Sequence, residues 1–129
     1  MSYRVLVVDD EPRITETLAL VLRHNGYETA VAHDGSSALA KCSEFLPDLL
    51  LTDVVMPGMD GIELSRRVTE RIPTCKVLLF SGHGATADML ERARAHGQNL
   101  ELLSKPVHPA VLLSKIAQIL QSSAVGQIA

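Results

Sequence analysis

Residues 49–61 read LLLTDVVMPGMDG. The run Leu49 to Thr52 is too short and too apolar for a surface helix. It fits a strand buried on both faces of a parallel sheet. The run ends in a carboxylate, Asp53, and a turn around Met56-Pro57-Gly58 follows. Asp53 therefore falls at the carboxyl end of a buried strand, where open α/β sheets place their sites. A charge there needs a partner, because burying an unpaired carboxylate is costly.

Outward from this stretch, strand-like runs alternate with amphipathic segments. The first strand covers about Arg4 to Val8. Asp9-Asp10-Glu11 follows, with Pro12 suited to a first helical turn. Ile14, Leu18, Val21 and Leu22 recur at helical spacing, and Asn25-Gly26 is a stop signal. Tyr27 to Ala32 alternates as a second strand. Asp34-Gly35 opens a helix that ends before Pro47. After the third strand, Gly61 to Arg71 is helical, with Asp60 placed to cap it. Val77 to Phe80 is a fourth buried strand ending at Ser81. Thr86 to His96 is a helix capped by Gly97. Leu100 to Leu103 is a fifth strand ending at Ser104-Lys105-Pro106, and a last helix covers His108 to Leu120. The small, polar residues after it predict a frayed tail. The boundaries expected are a domain over residues 1–121 and a tail over residues 122–129.

Strict β/α alternation in 129 residues predicts one α/β domain. The expected fold is a doubly wound, five-stranded parallel sheet with helices on both faces, a three-layer α/β/α architecture. The chain is 47% hydrophobic and 21% charged, which fits a globular domain. A net charge of −3 and the absence of Trp argue against a nucleic-acid surface or a base-stacking platform. No run reaches the ~18 apolar residues of a membrane span. The start of the chain shows no charged region and cleavage site of a signal peptide. Cys42 and Cys75 have no CxxC spacing and predict reduced thiols, consistent with a cytoplasmic location.

Four strand ends carry polar groups: Asp9-Asp10, Asp53, Ser81 and Lys105. In this architecture they converge on one edge of the sheet. Three carboxylates in one small site call for a cation, and hard oxygen ligands suit Mg²⁺. Lys105 adds a positive charge and Ser81 a hydroxyl. That inventory fits phosphoryl transfer to a carboxylate, with Asp53 as the nucleophile. Glu11 reads as charge bias at a helix start. The histidines have no metal-ligand spacing and read as surface or cap residues, and the end of the second strand, Ala32-His33, adds nothing to the site. Arg66, Arg67 and Arg71 read as a solvated helix face.

The motifs VLVVDDEP, LLTDVVMPGMDG, LLFSGHG and LLSKPV occur in this order over nearly the whole chain. Together they resemble the response-regulator receiver domains of two-component signalling. The resemblance implies a flavodoxin-like (βα)5 fold and phosphorylation of Asp53 by a sensor histidine kinase or a phosphotransfer protein. It implies Mg²⁺ held by Asp10, Asp53 and the Val55 carbonyl, with Asp9 acting mostly through water. Lys105 would pair with Asp53 and then with the phosphoryl group, and Ser81 would move toward that group. The N–H groups of Val55 and Gly82 would contact it, and Lys105-Pro106 would be a cis peptide. Val55 and His83 lie where family members tune loss of the phosphoryl group. The output would be an unidentified protein contact on the fourth helix, fifth strand and fifth helix, without direct nucleic-acid or membrane binding.

Leu102 departs from the family, which usually has an aromatic residue there. Switching is then expected through the Ser81-to-Ala87 loop. Two alternatives accompany this reading. One is the receiver portion of a larger DNA-binding or enzymatic regulator. The other is a small aspartyl-phosphate phosphohydrolase, disfavoured because Val55 stands where that chemistry needs a proton-transferring acid.

Overall fold

The computed structural model describes the backbone of residues 2–82, 86–95 and 100–128. Along the chain come β1 (Arg4–Val8), α1 (Pro12–His24), β2 (Glu28–Ala32), α2 (Gly35–Phe45) and β3 (Leu49–Asp53). They are followed by α3 (Gly61–Arg71), β4 (Lys76–Ser81), α4 (Thr86–Ala95), β5 (Glu101–Ser104) and α5 (Pro109–Ile128). All strand pairs are parallel, in the order β2-β1-β3-β4-β5. The expected doubly wound (βα)5 architecture is therefore the observed one.

Period-two alternation along the strands divides the core into two layers. Val5, Val7, Leu49, Leu51, Leu78 and Phe80 pack on one face against Leu18 and Leu22 of α1 and Leu112, Ile116 and Leu120 of α5. Leu6, Val8 and Leu50 pack on the other against Ala38, Leu39 and Cys42 of α2 and Leu64 and Val68 of α3. Both cysteines are buried and free. Burial pushes the Cys75 thiol up to about 12, with Cys42 adding to the effect.

The chain leaves β1 toward one edge of the sheet and returns to enter β3 on the other side. The crevice at that switch lies between the carboxyl ends of β1 and β3, where Asp9 and Asp53 stand. All five residues of β3 are buried. Its three leucines are fully buried, each worth roughly 1.5–3 kcal/mol against exposure. This burial is what holds the Asp53 carboxylate at the edge of the core.

Several boundaries differ from expectation. β2 begins at Glu28, not Tyr27. β4 begins at Lys76 and includes Ser81, and β5 lies one residue later than the apolar run suggested. Pairing sets these limits: Lys76 is in register with Leu49, and Ser81 with Ser104. The ladder thus continues past the apolar side chains. The largest difference is at α5, which runs to Ile128 where the last helix was expected to end at Leu120. Residues 121–128 contain no proline, and a helix anchored by Leu112, Ile116 and Leu120 extends at one hydrogen bond per added residue. The expected helix end His96 and its cap Gly97 lie outside the described residues.

Candidate functional site

Asp9 follows β1 directly and is fully buried. Its Oδ1 accepts the Glu11 N–H at 2.9 Å and its Oδ2 accepts Lys105 Nζ at 2.9 Å. Its own N–H donates to the Ala32 carbonyl at 3.2 Å, so the end of β2 holds the end of β1. Asp10 is the next residue and is exposed. Asp53 closes β3 at 5% exposure, and its Oδ2 accepts Lys105 Nζ at 3.1 Å. Carboxylate oxygens of Asp9, Asp10 and Asp53 lie within 4.8 Å of one another.

Lys105 thus bridges two buried carboxylates rather than pairing with Asp53 alone. Its ammonium also stands 5.1 Å from the centroid of the Phe80 ring, a cation–π distance. The Lys105 N–H donates to the Ser81 carbonyl at 2.9 Å, joining the ends of β4 and β5. The expected cis Lys105-Pro106 bond is present.

The charges do not balance within the cluster. Desolvation raises the Asp53 pKa above its ordinary value; the Lys105 hydrogen bond opposes the shift, and the charge of Asp9 adds to it. Asp10 is raised by partial burial, then by its hydrogen bond and repulsion with Asp9. Burial alone would lower Lys105, but its bonds to Asp9 and Asp53 outweigh burial and raise it. Desolvation comes first for both acids, and repulsion from Asp9 adds to it in each. A second cation would relieve it, and the all-oxygen donor set fits a hard divalent ion such as Mg²⁺.

Ser81 is buried at the end of β4. Val55 is exposed at the rim, and its backbone N–H lowers the Asp53 pKa slightly, against desolvation. Gly82 is exposed next to the Lys105 stem, 3.6 Å from Cδ to a Cβ built on it. Leu102 is half-buried on β5, in register with Leu79. Pro106 follows the cis bond and lines an apolar cleft of about 270 Å³ with Arg13, Ile14, Leu18, Phe80 and Val107. His83 lies outside the described residues.

The helix-start expectations hold. Asp60 caps α3 through the Glu63 N–H at 2.8 Å, and Asp34 caps α2 through the Ser37 N–H at 2.7 Å. Arg66 pairs with Glu63 and, at 2.7 Å, with Glu70 along the exposed face of α3. His108 Nδ1 accepts the Ala110 N–H at 3.2 Å at the start of α5. Glu11 takes the N-cap position of α1 but makes no side-chain cap bond.

Sequence reasoning missed two contacts. Gly61 packs directly on the end of β3: its N–H donates to the Val54 carbonyl at 2.8 Å, and a Cβ there would lie 2.0 Å from the Asp53 carbonyl oxygen. The signal was the glycine opening a helix next to the cap residue Asp60. The second is His33, which lies 3.0 Å from the buried Thr15 hydroxyl. No local pattern reports a contact between residues 18 positions apart.

The family model for the response regulator receiver domain matches residues 5–117. The DNA-binding response regulator MtrA of Mycolicibacterium smegmatis is 36% identical over 118 residues, 90% of this chain and 50% of that protein. The response regulator receiver protein CpdR of Brucella abortus is 37% identical over 117 residues, 91% of this chain and 96% of that protein. The chain therefore spans about half the length of MtrA and nearly all of CpdR. The crystal structure of a CheY-like receiver domain protein from Methanospirillum hungatei superimposes with a TM-score of 0.89. It is 28% identical and covers 98% of this chain and 99% of that one.

Proposed function

The chain belongs to the response regulator receiver domain family, and from that premise we propose that it is a phosphorylation switch whose input is Asp53. One observation carries the assignment. Lys105 Nζ bridges Asp9 and Asp53 at 2.9 and 3.1 Å, with Asp10 completing a three-carboxylate cluster at the switch point of the sheet. Asp53 is the acceptor because it closes the central strand with one carboxylate oxygen on Lys105.

Each residue has a separate task. An Asp53 oxygen attacks phosphorus while the bond from phosphorus to a phosphohistidine nitrogen breaks, and the imidazole leaves with that electron pair. Lys105 turns from the carboxylate pair to the incoming phosphoryl oxygens. The Ser81 hydroxyl and the Val55 and Gly82 N–H groups bond those oxygens. Asp10, Asp53 and the Val55 carbonyl would hold Mg²⁺, with Asp9 behind them. The ion, when bound, would neutralise charge on the transferring group. Asp9 keeps Lys105 and the loop ahead of α1 in place.

The donor is a sensor histidine kinase or phosphotransfer protein. The apolar cleft between α1 and the loop after β5, lined in part by Lys105, offers its side chains a seat. With Leu102 in place of a ring, phosphorylation is reported through the Ser81-to-Ala87 segment, whose residues 83–85 lie outside the described residues, and α4 toward a protein partner. Val55 at the exposed rim tunes loss of the phosphoryl group. The half-length match to MtrA supports a second reading, in which these residues are the input portion of a longer regulator. We place any DNA contact outside residues 1–129, because their net charge is −3.

The test is transfer of labelled phosphoryl groups from the host's autophosphorylated kinases with Mg²⁺ present. Acid-labile, alkali-stable histidine label on the kinase should fall as alkali-labile label appears on this chain, and Asp53→Ala should receive none. No transfer from any kinase would overturn the assignment.

A further inference from the structure

His33 lies in hydrogen-bond reach of a buried side chain of α1, and it follows Ala32, whose carbonyl accepts the Asp9 N–H. Thr15, in the first turns of α1, is fully buried. Its Oγ1 lies 3.0 Å from the Pro12 carbonyl and 3.0 Å from His33 Nε2. A hydroxyl has one proton to give. The Pro12 carbonyl can only accept, so the proton goes there, and His33 Nε2–H must donate to Thr15. The same N–H exists in the neutral Nε2 tautomer and in the cation, so the bond survives either charge state.

This bond closes a gap in the local structure. α1 starts without a side-chain cap: Glu11 makes none, and the first turn has no acidic residue. Yet α1 follows directly on Asp9-Asp10-Glu11. The neighbouring residue Ala32 takes the Asp9 N–H on its carbonyl at 3.2 Å. Residues 32 and 33 thus grip the acidic loop at both ends, Asp9 through the backbone and the start of α1 through the His33 ring.

We propose that His33 is a positioning residue for the divalent-cation site, locking the start of α1 through Thr15 so that Asp9 and Asp10 are pre-set against Asp53. The inference rests on the Mg²⁺ reading above. Without the bond the acidic loop retains more freedom, and that freedom must be lost when the ion binds.

The experiment titrates Mg²⁺ into the protein and follows amide NMR shifts of residues 9, 10 and 53, with urea midpoints measured in parallel. His33→Ala and Thr15→Val should each weaken Mg²⁺ binding by about three- to tenfold, the range of one hydrogen bond. The double variant should be no weaker than either single one. His33→Gln, whose amide nitrogen can replace Nε2–H, should restore binding. A purely structural contact would lower the urea midpoint and leave the Mg²⁺ affinity of the folded protein unchanged; that result, or failure of Gln to rescue, overturns the proposal. Absence of a saturable Mg²⁺ response in the unsubstituted protein would instead overturn the metal reading itself.

Discussion

Gly61→Ala sets a favourable local term against an unfavourable tertiary one. On an isolated helix the change would stabilise by about 1 kcal/mol, because alanine loses less backbone entropy. At this position the new Cβ would lie 2.0 Å from the Asp53 carbonyl oxygen, 2.9 Å from its carbon and 3.0 Å from Val54 Cα. A carbon–oxygen contact normally stays beyond about 3.3 Å, so the first contact alone is too short by more than an ångström. All three atoms are backbone of β3 or the residue after it, and no side chain can rotate away. α3 must retreat, which stretches the 2.8 Å bond from the Gly61 N–H to the Val54 carbonyl. Overpacking of this kind costs about 1–3 kcal/mol, and a lost hydrogen bond adds about 1 kcal/mol. The tertiary cost therefore exceeds the helix gain, with a net loss of about 1–3 kcal/mol. Two other glycines calibrate the result. Gly58 has φ +78° with nothing near its Cβ position, so Gly58→Ala should cost only the left-handed backbone term of about 1 kcal/mol. Gly82 offers ordinary contacts at 3.6 Å and 3.8 Å, so Gly82→Ala should leave stability within about 0.5 kcal/mol. Urea unfolding of the three variants, with phosphorylation by acetyl phosphate measured alongside, gives the order. Gly61→Ala should be the least stable and should also phosphorylate more slowly, because the displaced backbone carries Asp53. A Gly61→Ala protein as stable as the unsubstituted chain would refute the close-packing argument.

Asp53→Asn should raise stability at neutral pH in Mg²⁺-free buffer. The folded pKa of Asp53 lies above the ordinary 3.8, so folding favours the protonated acid. Its contribution is complete below 3.8 and is lost as pH rises through the folded value. The advantage of the neutral amide should therefore appear above that value and vanish in acid; equal urea midpoints at pH 3 and pH 7 would contradict the desolvation argument. Mg²⁺ should raise the melting temperature of the unsubstituted chain, by a free energy of about 1.4 kcal/mol at tenfold the dissociation constant. Asp10→Ala should remove most of that shift, and a full shift in the variant, read by calorimetry, would exclude Asp10 as a ligand.

The elements were legible in the sequence where local pattern and tertiary packing agree. The α3 limits, Gly61 and Arg71, follow from the Asp60 cap and the apolar spacing. β3 follows from an apolar run too short for a helix, and Asp53 from the carboxylate that ends it. The α5 end was not legible, because polar small residues look like a tail whether or not the helix before them is anchored. The first residues of β2, β4 and β5 were also misjudged, since pairing register, not hydrophobicity, sets where a ladder begins.

By itself the sequence determined a five-strand parallel sheet and the chemical inventory at its carboxyl edge. Period and composition are local properties, and each strand end can be read without knowing its neighbours. Only the tertiary structure decided how that inventory is wired. Lys105 lies 96 positions from Asp9 and 52 from Asp53, yet one ammonium bridges both. His33, exposed as expected, also reaches the Thr15 hydroxyl at the start of the helix that follows the acidic loop. Gly61, which opens α3, also lies against the backbone of Asp53. Such contacts arise from strand order and crossover packing, which bring distant residues within hydrogen-bond reach and leave no trace in the spacing of either partner.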